Sequence, residues 1–169
     1  MIDRRHLLMG GVAMGTAFTG WRLFSGKASA AADTEFPFKL SEAEWRERLT
    51  PAQYRILRDH GTERAGTSPL NAEKRDGIFH CAGCDQALFD SKTKYESGTG
   101  WPSFYAPIEG AVGTAEDRSF FMTRTEVHCS NCGGHLGHVF EDGPKPTGLR
   151  YCMNGVAMTF KPASAGGAA

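Results

Sequence analysis

Four of the five cysteines in this 169-residue chain form two C-x-x-C pairs, and this pattern limits the possible folds more than any other feature. The pairs are Cys81 with Cys84 and Cys129 with Cys132. Each tight turn can present two thiolates, and two such turns facing each other make a closed tetrahedral site for structural zinc. The sequence therefore predicts one structural Zn²⁺ per chain, although the separation of the pairs exceeds that of a compact zinc ribbon.

Two other roles stay open for these cysteines. In an oxidising compartment, vicinal thiols can become disulfides, unless zinc is bound before the folded protein is exported. A redox C-x-x-C is the weaker alternative, because neither pair opens a helix in a βαβ context. Zinc in a closed site has no free position for a substrate, so it would support the fold rather than the chemistry.

The N-terminus has the features of an export signal. Arg4 and Arg5 precede an apolar run over residues 7–21, and an A-x-A cleavage site ends at Ala30. Adjacent arginines at this place are typical of the bacterial twin-arginine signal. We predict that residues 1–30 are a cleaved twin-arginine signal, that the protein is exported to the periplasm, and that no stable membrane insertion remains after cleavage. An uncleaved anchor is the alternative, but the run is too short to span a bilayer comfortably.

Cleavage would leave one domain over residues 31–163 and a flexible small-residue tail over 164–169, and we expect a monomer. The whole chain has 19 basic and 19 acidic residues. The leader holds four of the basic and one of the acidic residues, so 15 basic and 18 acidic groups remain, a formal net charge of −3. Without a basic excess, we expect no nucleic-acid partner.

Two short helices are predicted before a β-rich region. Ser41 with Glu44 forms a capping box, and Thr50 caps a second helix with Pro51 at its first position. Residues 61–76 are polar, with Gly and Pro, and predict a loop.

Short β-like segments follow, rich in β-branched and aromatic residues: GIFHC, QALFD, SFFMTRTEVHC, HLGHVF and LRYCMNGVAMTFK. Turn signals such as AGCD, AEDR and EDGPKPTG separate them. We therefore predict a mainly β fold: a small antiparallel domain of two packed sheets, with short N-terminal helices and the structural zinc site.

The fifth cysteine, Cys152, remains a free thiol if zinc takes the other four. A lone cysteine is often a small buried hydrophobe. However, Arg150 and Asn154 lie two residues to either side, on the same face of a strand. A cationic neighbour favours the reactive thiolate form of a cysteine. GTGWPSF adds a rigid indole, and HLGHVF adds two histidines that can act as acids or hydrogen-bond donors.

Together, these motifs resemble the peptide-methionine (R)-S-oxide reductase family. The resemblance covers residues 45–162 and rests on both C-x-x-C pairs, SGTGWPSF, RTEVHC, HLGHVFEDGP and LRYCMNGVAMTF. It implies an enzyme that returns the R epimer of methionine sulfoxide in oxidised proteins or peptides to methionine.

The resemblance also implies roles for individual residues. Cys152 would attack the sulfoxide sulfur and become a sulfenic acid. His138, with His135, would protonate or hydrogen-bond the departing oxygen. Trp101 would hold the S-methyl group, and we assign Phe104 and Thr99 of the same motif to the substrate pocket. Asn154 and Arg150 would organise water and the thiolate.

The chain departs from the family at one position. Many members carry a second, resolving cysteine where this chain has Thr99. We therefore predict no intramolecular disulfide during turnover, and regeneration by a thioredoxin-like protein or a small thiol.

Two other function classes are alternatives. A zinc-ribbon binding module would explain the four paired cysteines and nothing else. A general disulfide oxidoreductase would use one C-x-x-C pair and leave the other without a role.

Overall fold

The computed structural model describes residues 35–164. The predicted signal at 1–30 and nearly all of the predicted tail lie outside these residues. Within 35–164, no helix is both long and apolar enough to cross a bilayer.

Two helices open the described chain, α1 at Glu42–Arg48 and α2 at Pro51–Leu57. Each begins at its predicted cap, Ser41 or Thr50, whose hydroxyl accepts a hydrogen bond from a backbone N–H three residues on; the structure adds a capping box of Thr50 with Gln53 to the predicted one of Ser41 with Glu44. Each helix has only seven residues, so its stability must come mainly from packing. The buried residues of the two helices are Trp45, Tyr54, Ile56 and Leu57.

In the described part of the chain, nine strands form two sheets in which every pair of neighbours is antiparallel. The smaller sheet has the order β2-β1-β9, with bounds Ala87–Asp90, Gly77–Cys81 and Met158–Pro162. The larger sheet has the order β3-β4-β8-β7-β6-β5. Its bounds in that order are Lys94–Tyr95, Ser103–Phe104, Arg150–Met153, His135–Phe140, Arg124–Cys129 and Val112–Asp117. The mainly β, two-sheet prediction is confirmed.

Aromatic side chains from both sheets make the centre of the core. Phe104 of β4 stacks on Phe89 of β2 at 4.4 Å between ring centroids and meets Phe79 of β1 edge-on at 4.9 Å. All three are fully buried. Burial of each such side chain contributes roughly 1.5–3 kcal/mol, so this cluster is a main source of the attraction between the sheets.

Three local predictions were wrong. Residues 115–118 were predicted as a turn, but 115–117 belong to β5, whose polar side chains suit an exposed edge strand paired only with β6. The start of SFFMTRTEVHC is a 3₁₀ turn, Ser119–Phe121, rather than strand. The run 149–161 is not one strand, because a 3₁₀ turn at Gly155–Ala157 divides it between the two sheets.

The larger sheet places Cys152 on β8, an interior strand. Cys152 lies opposite Ser103 of β4 on one side and opposite His138 of β7 on the other. Next to His138, a Cβ at position 137 would collide with the Cys152 carbonyl oxygen, so the close approach of β7 and β8 requires Gly137.

Candidate active site and metal centre

The four paired cysteines meet in one cluster, as predicted. Cys81 ends β1 and Cys129 ends β6, so each sheet supplies one turn. The Sγ atoms of Cys81 and Cys132 are 3.7 Å apart, and those of Cys84 and Cys129 are 3.6 Å apart. Four thiolates at about 2.3 Å from a tetrahedral ion would be about 3.8 Å apart, so the cluster can hold a metal ion.

Backbone bonds and the helices fix the two cysteine turns. The amides of Asp85 and Gly133 donate to the carbonyls of Cys81 and Cys129, both at 2.9 Å. Gly133 has φ +68°, where glycine is favoured. From the helical side, Arg58 Nη1 donates to the Cys132 carbonyl at 3.1 Å. Because both C-x-x-C pairs enter one cluster, neither resembles an independent redox pair.

Cys152 lines a separate small cavity of about 140 Å³. Its thiol is partly exposed, and its Sγ lies 3.8 Å from the Thr99 hydroxyl oxygen. Thr99 is in turn within 2.8 Å of the Ser97 hydroxyl. The residues that line the cavity are Thr62, Trp101, Arg124, Gly137, His138, Phe140, Cys152 and Asn154.

His138 is held by an ion pair that the sequence analysis did not foresee. Its Nε2 lies 2.8 Å from Asp117 Oδ2, and Arg124 Nη2 lies 2.6 Å from the same oxygen. Hydrogen bonds from the backbone N–H and hydroxyl of Ser119, together with His138, hold the pKa of Asp117 well below its usual value. Asp117 is therefore a pure acceptor, and His138 carries a proton on Nε2. Burial lowers the pKa of His138, although the hydrogen bond with Asp117 raises it. The net lowering favours the neutral ring.

Trp101 and Asn154 both line the cavity, and one buried residue connects them. Glu63, only 8% exposed, accepts the Trp101 indole N–H on its backbone carbonyl at 3.2 Å and donates its own N–H to Asn154 Oδ1 at 2.9 Å. Its carboxylate accepts the N–H groups of Gly155 at 2.6 Å and Val156 at 3.0 Å. No sequence pattern indicates this role, because Glu63 lies in a predicted loop, far along the chain from these partners.

The structure separates the remaining predicted residues from the Cys152 cavity. Phe104 is 0% exposed and stacked in the core, so its prediction as a substrate-binding residue is wrong: it has no surface for a ligand. Arg150 forms two 2.8 Å hydrogen bonds to Asp142 and lies 4.3 Å from the Phe140 ring centre, so it supports the aromatic wall rather than lining the cavity.

His135 faces a second cavity. It is 2% exposed, and its Nδ1 lies 2.7 Å from Glu126 Oε1. This neighbouring cavity, of about 520 Å³, is also lined by His60 and shares His138 with the Cys152 cavity. The sequence motifs did not indicate three further residues at the site: Asp117, Arg124 and Phe140.

Comparison with known proteins finds one matching family and similar proteins of one name. The model of the SelR domain matches residues 49–162. A protein of Agrobacterium fabrum named peptide methionine sulfoxide reductase MsrB is 57% identical over 123 residues, which cover 72% of this chain and 91% of the relative. Proteins of the same name from Methanosarcina barkeri and Leptospira interrogans are 58% and 56% identical over 122 residues, again 72% of this chain and 86% and 93% of the relatives.

Proposed function

The chain belongs to the SelR-domain family and is a methionine sulfoxide reductase, and we propose that it reduces the R epimer of protein-bound methionine sulfoxide with Cys152 as the nucleophile. The observation that carries the proposal is the position of Cys152. It is the one cysteine outside the four-sulfur cluster, and it lies partly exposed in a cavity beside an imidazole and two aromatic rings.

The reaction needs a nucleophile and a proton. The Cys152 sulfur attacks the sulfoxide sulfur and forms an S–S bond while the oxygen is protonated. The hydroxyl oxygen then transfers to the Cys152 sulfur as the S–S bond and the substrate S–O bond break, which releases methionine and leaves Cys152 as a sulfenic acid. The oxygen must accept a proton as it transfers, because an unprotonated oxygen leaves poorly.

His138 is the proposed proton carrier. With Nε2–H bound to Asp117, its Nδ1 keeps a lone pair that can accept the Cys152 thiol proton and pass it to the oxygen. The Asp117 carboxylate stabilises the transient imidazolium. His135, which does not line this cavity, acts through its contact with the His138 ring, 5.4 Å away between centroids.

The aromatic wall provides the basis for stereoselectivity. The rings of Trp101 and Phe140 line the cavity and offer apolar surface to an S-methyl group. With the methyl group fixed there and the oxygen directed to His138, one configuration at sulfur leaves room for attack by Cys152. Glu63 and Arg150 position these rings from behind.

An external thiol would complete the cycle. Thr99, whose hydroxyl is next to the Cys152 sulfur, offers no second thiol. A thioredoxin-like protein or a small thiol would attack the sulfenic acid, release water and form a mixed disulfide, which a second thiol resolves. The cysteine cluster would hold Zn²⁺ as a structural ion, since all four ligands are sulfur and no coordination position remains open.

The test offers the purified protein each sulfoxide epimer of a blocked methionine, with dithiothreitol as reductant. We expect turnover of the R epimer only, and its loss in Cys152→Ser. His138→Gln should reduce kcat/KM by about 100-fold or more. The matched control, His128→Gln, changes a histidine outside the cavity and should stay within about twofold. Equal use of both epimers, or activity in Cys152→Ser, would contradict the proposal.

We further propose that residues 1–30 direct export to the periplasm by the twin-arginine route. In a bacterial host with this pathway, replacing Arg4 and Arg5 together with lysines should leave the protein in the cytoplasm. Periplasmic accumulation of the double variant at the wild-type level would refute the route.

A further inference from the structure

A second cluster of metal-ligating groups lies on the other side of His138 from Cys152. Glu126 of β6 accepts contacts from two imidazoles on the same oxygen: Nδ1 of His135 is 2.7 Å and Nδ1 of His60 is 3.0 Å from Oε1. The three ligand atoms all lie within 4.8 Å of one another. Neither histidine contributes to the cysteine cluster, so this group is separate from the sulfur site.

The cluster is already arranged before any ion binds. Glu126 and His135 are on adjacent, paired strands and are nearly buried, so the β6–β7 pairing fixes two of the three ligands. His60 is 63% exposed at its side chain and closes the group from the solvent side. Ligands at about 2.0–2.2 Å from a common tetrahedral ion are about 3.3–3.6 Å apart, so the two contacts present need to open by less than about 1 Å.

Binding of an ion through Nδ1 would change the protonation of both histidine rings. An imidazole that ligates through Nδ1 keeps its single proton on Nε2. His135 Nε2 is buried and has no hydrogen-bond partner among residues 35–164, so its N–H would be an unpaired donor, a cost that the coordination bond at Nδ1 must offset. The ion would replace two N–H···O contacts with coordination bonds and release any extra proton of His60 to solvent.

The surroundings suit a cation. The cavity of about 520 Å³ beside the cluster leaves room for water as additional ligands. Its two arginines are already paired, Arg118 with Glu116 and Arg124 with Asp117, so neither neutralises Glu126. Two nitrogens and one carboxylate oxygen favour Zn²⁺, Co²⁺, Ni²⁺ or Cu²⁺ over Mg²⁺ and Ca²⁺, which prefer oxygen.

We propose that His60, Glu126 and His135 form a second site, for a divalent transition-metal ion, and that its occupancy slows sulfoxide reduction. The ion would sit between His60 and His135 and hold the His135 ring, which packs against His138. It would also add positive charge beside His138 and so oppose the imidazolium that carries the proton. Only this second, inhibitory part rests on the proposed role of His138.

The binding experiment uses the full chain with the cysteine cluster filled with zinc, titrated with Co²⁺. We expect one further equivalent of Co²⁺, with visible d–d absorption and no near-ultraviolet band from sulfur-to-cobalt charge transfer. His60→Ala, at an exposed side chain, should weaken this binding at least about tenfold. Glu116→Gln is the control, since this carboxylate lines the same cavity but is paired with Arg118, and it should bind within about twofold of wild type.

No further equivalent, unchanged affinity in His60→Ala, or a sulfur-to-cobalt band that marks binding at Cys152 would overturn the site. Inhibition is measured as methionine release in a single turnover of pre-reduced enzyme, without added thiols that would chelate the ion. Saturating Co²⁺ should slow this step at least about tenfold in wild type and in Glu116→Gln, but not in His60→Ala. An unchanged rate in metal-saturated wild type would overturn the inhibitory part and leave the binding result standing.

Discussion

Replacing Glu63 with glutamine would keep the size of this side chain and remove one of its two acceptor oxygens. The carboxylate accepts the N–H groups of Gly155 and Val156, at 2.6 and 3.0 Å, in a buried position. A hydrogen bond to a charged group contributes about 1.5–3 kcal/mol, and a buried donor without a partner costs about 1–3 kcal/mol. The amide can accept from one N–H but turns its own NH₂ toward the other. We therefore expect Glu63→Gln to lower the free energy of unfolding by about 2–4 kcal/mol.

The effect should reach the reaction as well as the stability. The turn at Gly155–Ala157 directly follows Asn154, which lines the Cys152 cavity. If Glu63 holds this turn, the folded variant should lose at least about tenfold in kcat/KM. Its melting temperature should fall by about 10 °C, because each kcal/mol shifts a domain of this size by a few degrees.

The assay is urea unfolding and thermal melting, with kinetics measured well below the melting temperature. Glu47→Gln is the control, an exposed glutamate on α1, and it should change stability by no more than about 0.5 kcal/mol. If Glu63→Gln melts with the control and keeps wild-type kcat/KM, the carboxylate does not hold the turn and the reasoning fails.

Three further predictions concern the metal, the proton carrier and the missing thiol. Cys84→Ser should abolish stoichiometric metal content and lower the melting temperature, measured by elemental analysis and calorimetry; an equally stable, metal-free variant would refute a structural ion. Asp117→Asn should reduce kcat/KM at least about tenfold. Because the folded-state pKa of Asp117 is depressed, its stabilisation is present above its unfolded value and lost as the pH falls toward the folded value, so the wild-type advantage in melting temperature should begin to shrink below about pH 4; an advantage that is as large at about pH 2 as at pH 6 would contradict this. Thr99→Cys should form a disulfide with Cys152 after one turnover, detectable by mass spectrometry as a loss of two free thiols, whereas Thr99→Ser should not; persistent sulfenic acid in Thr99→Cys would show that the loop cannot bring the sulfurs together.

Features set by neighbours in sequence were predictable. The caps at Ser41 and Thr50 depend on residues close by in the chain, and both helices begin where these caps place them. The two C-x-x-C turns likewise form locally, and only their meeting required the tertiary fold.

Contacts between residues far apart in the sequence could not be predicted. The sequence around Glu63 is typical of a loop, and its hydrogen-bond partners come close to it only when β8 and the turn that follows are folded. The polar sequence of β5 resembles a turn, because an edge strand needs few apolar residues once β6 supplies the hydrogen bonds. Phe104 was misplaced for a related reason: strand alternation does not say which face of β4 meets the second sheet.

The position of Cys152 on β8 has a consequence for how the enzyme is recycled. Backbone pairing with β4 and β7 holds this strand on both sides, so the backbone at Cys152 is not free to move toward solvent. If Cys152 is oxidised as proposed, the reducing thiol must therefore enter the cavity past the Trp101 and Phe140 rings, which favours a narrow thiol or one on a protruding loop of a protein.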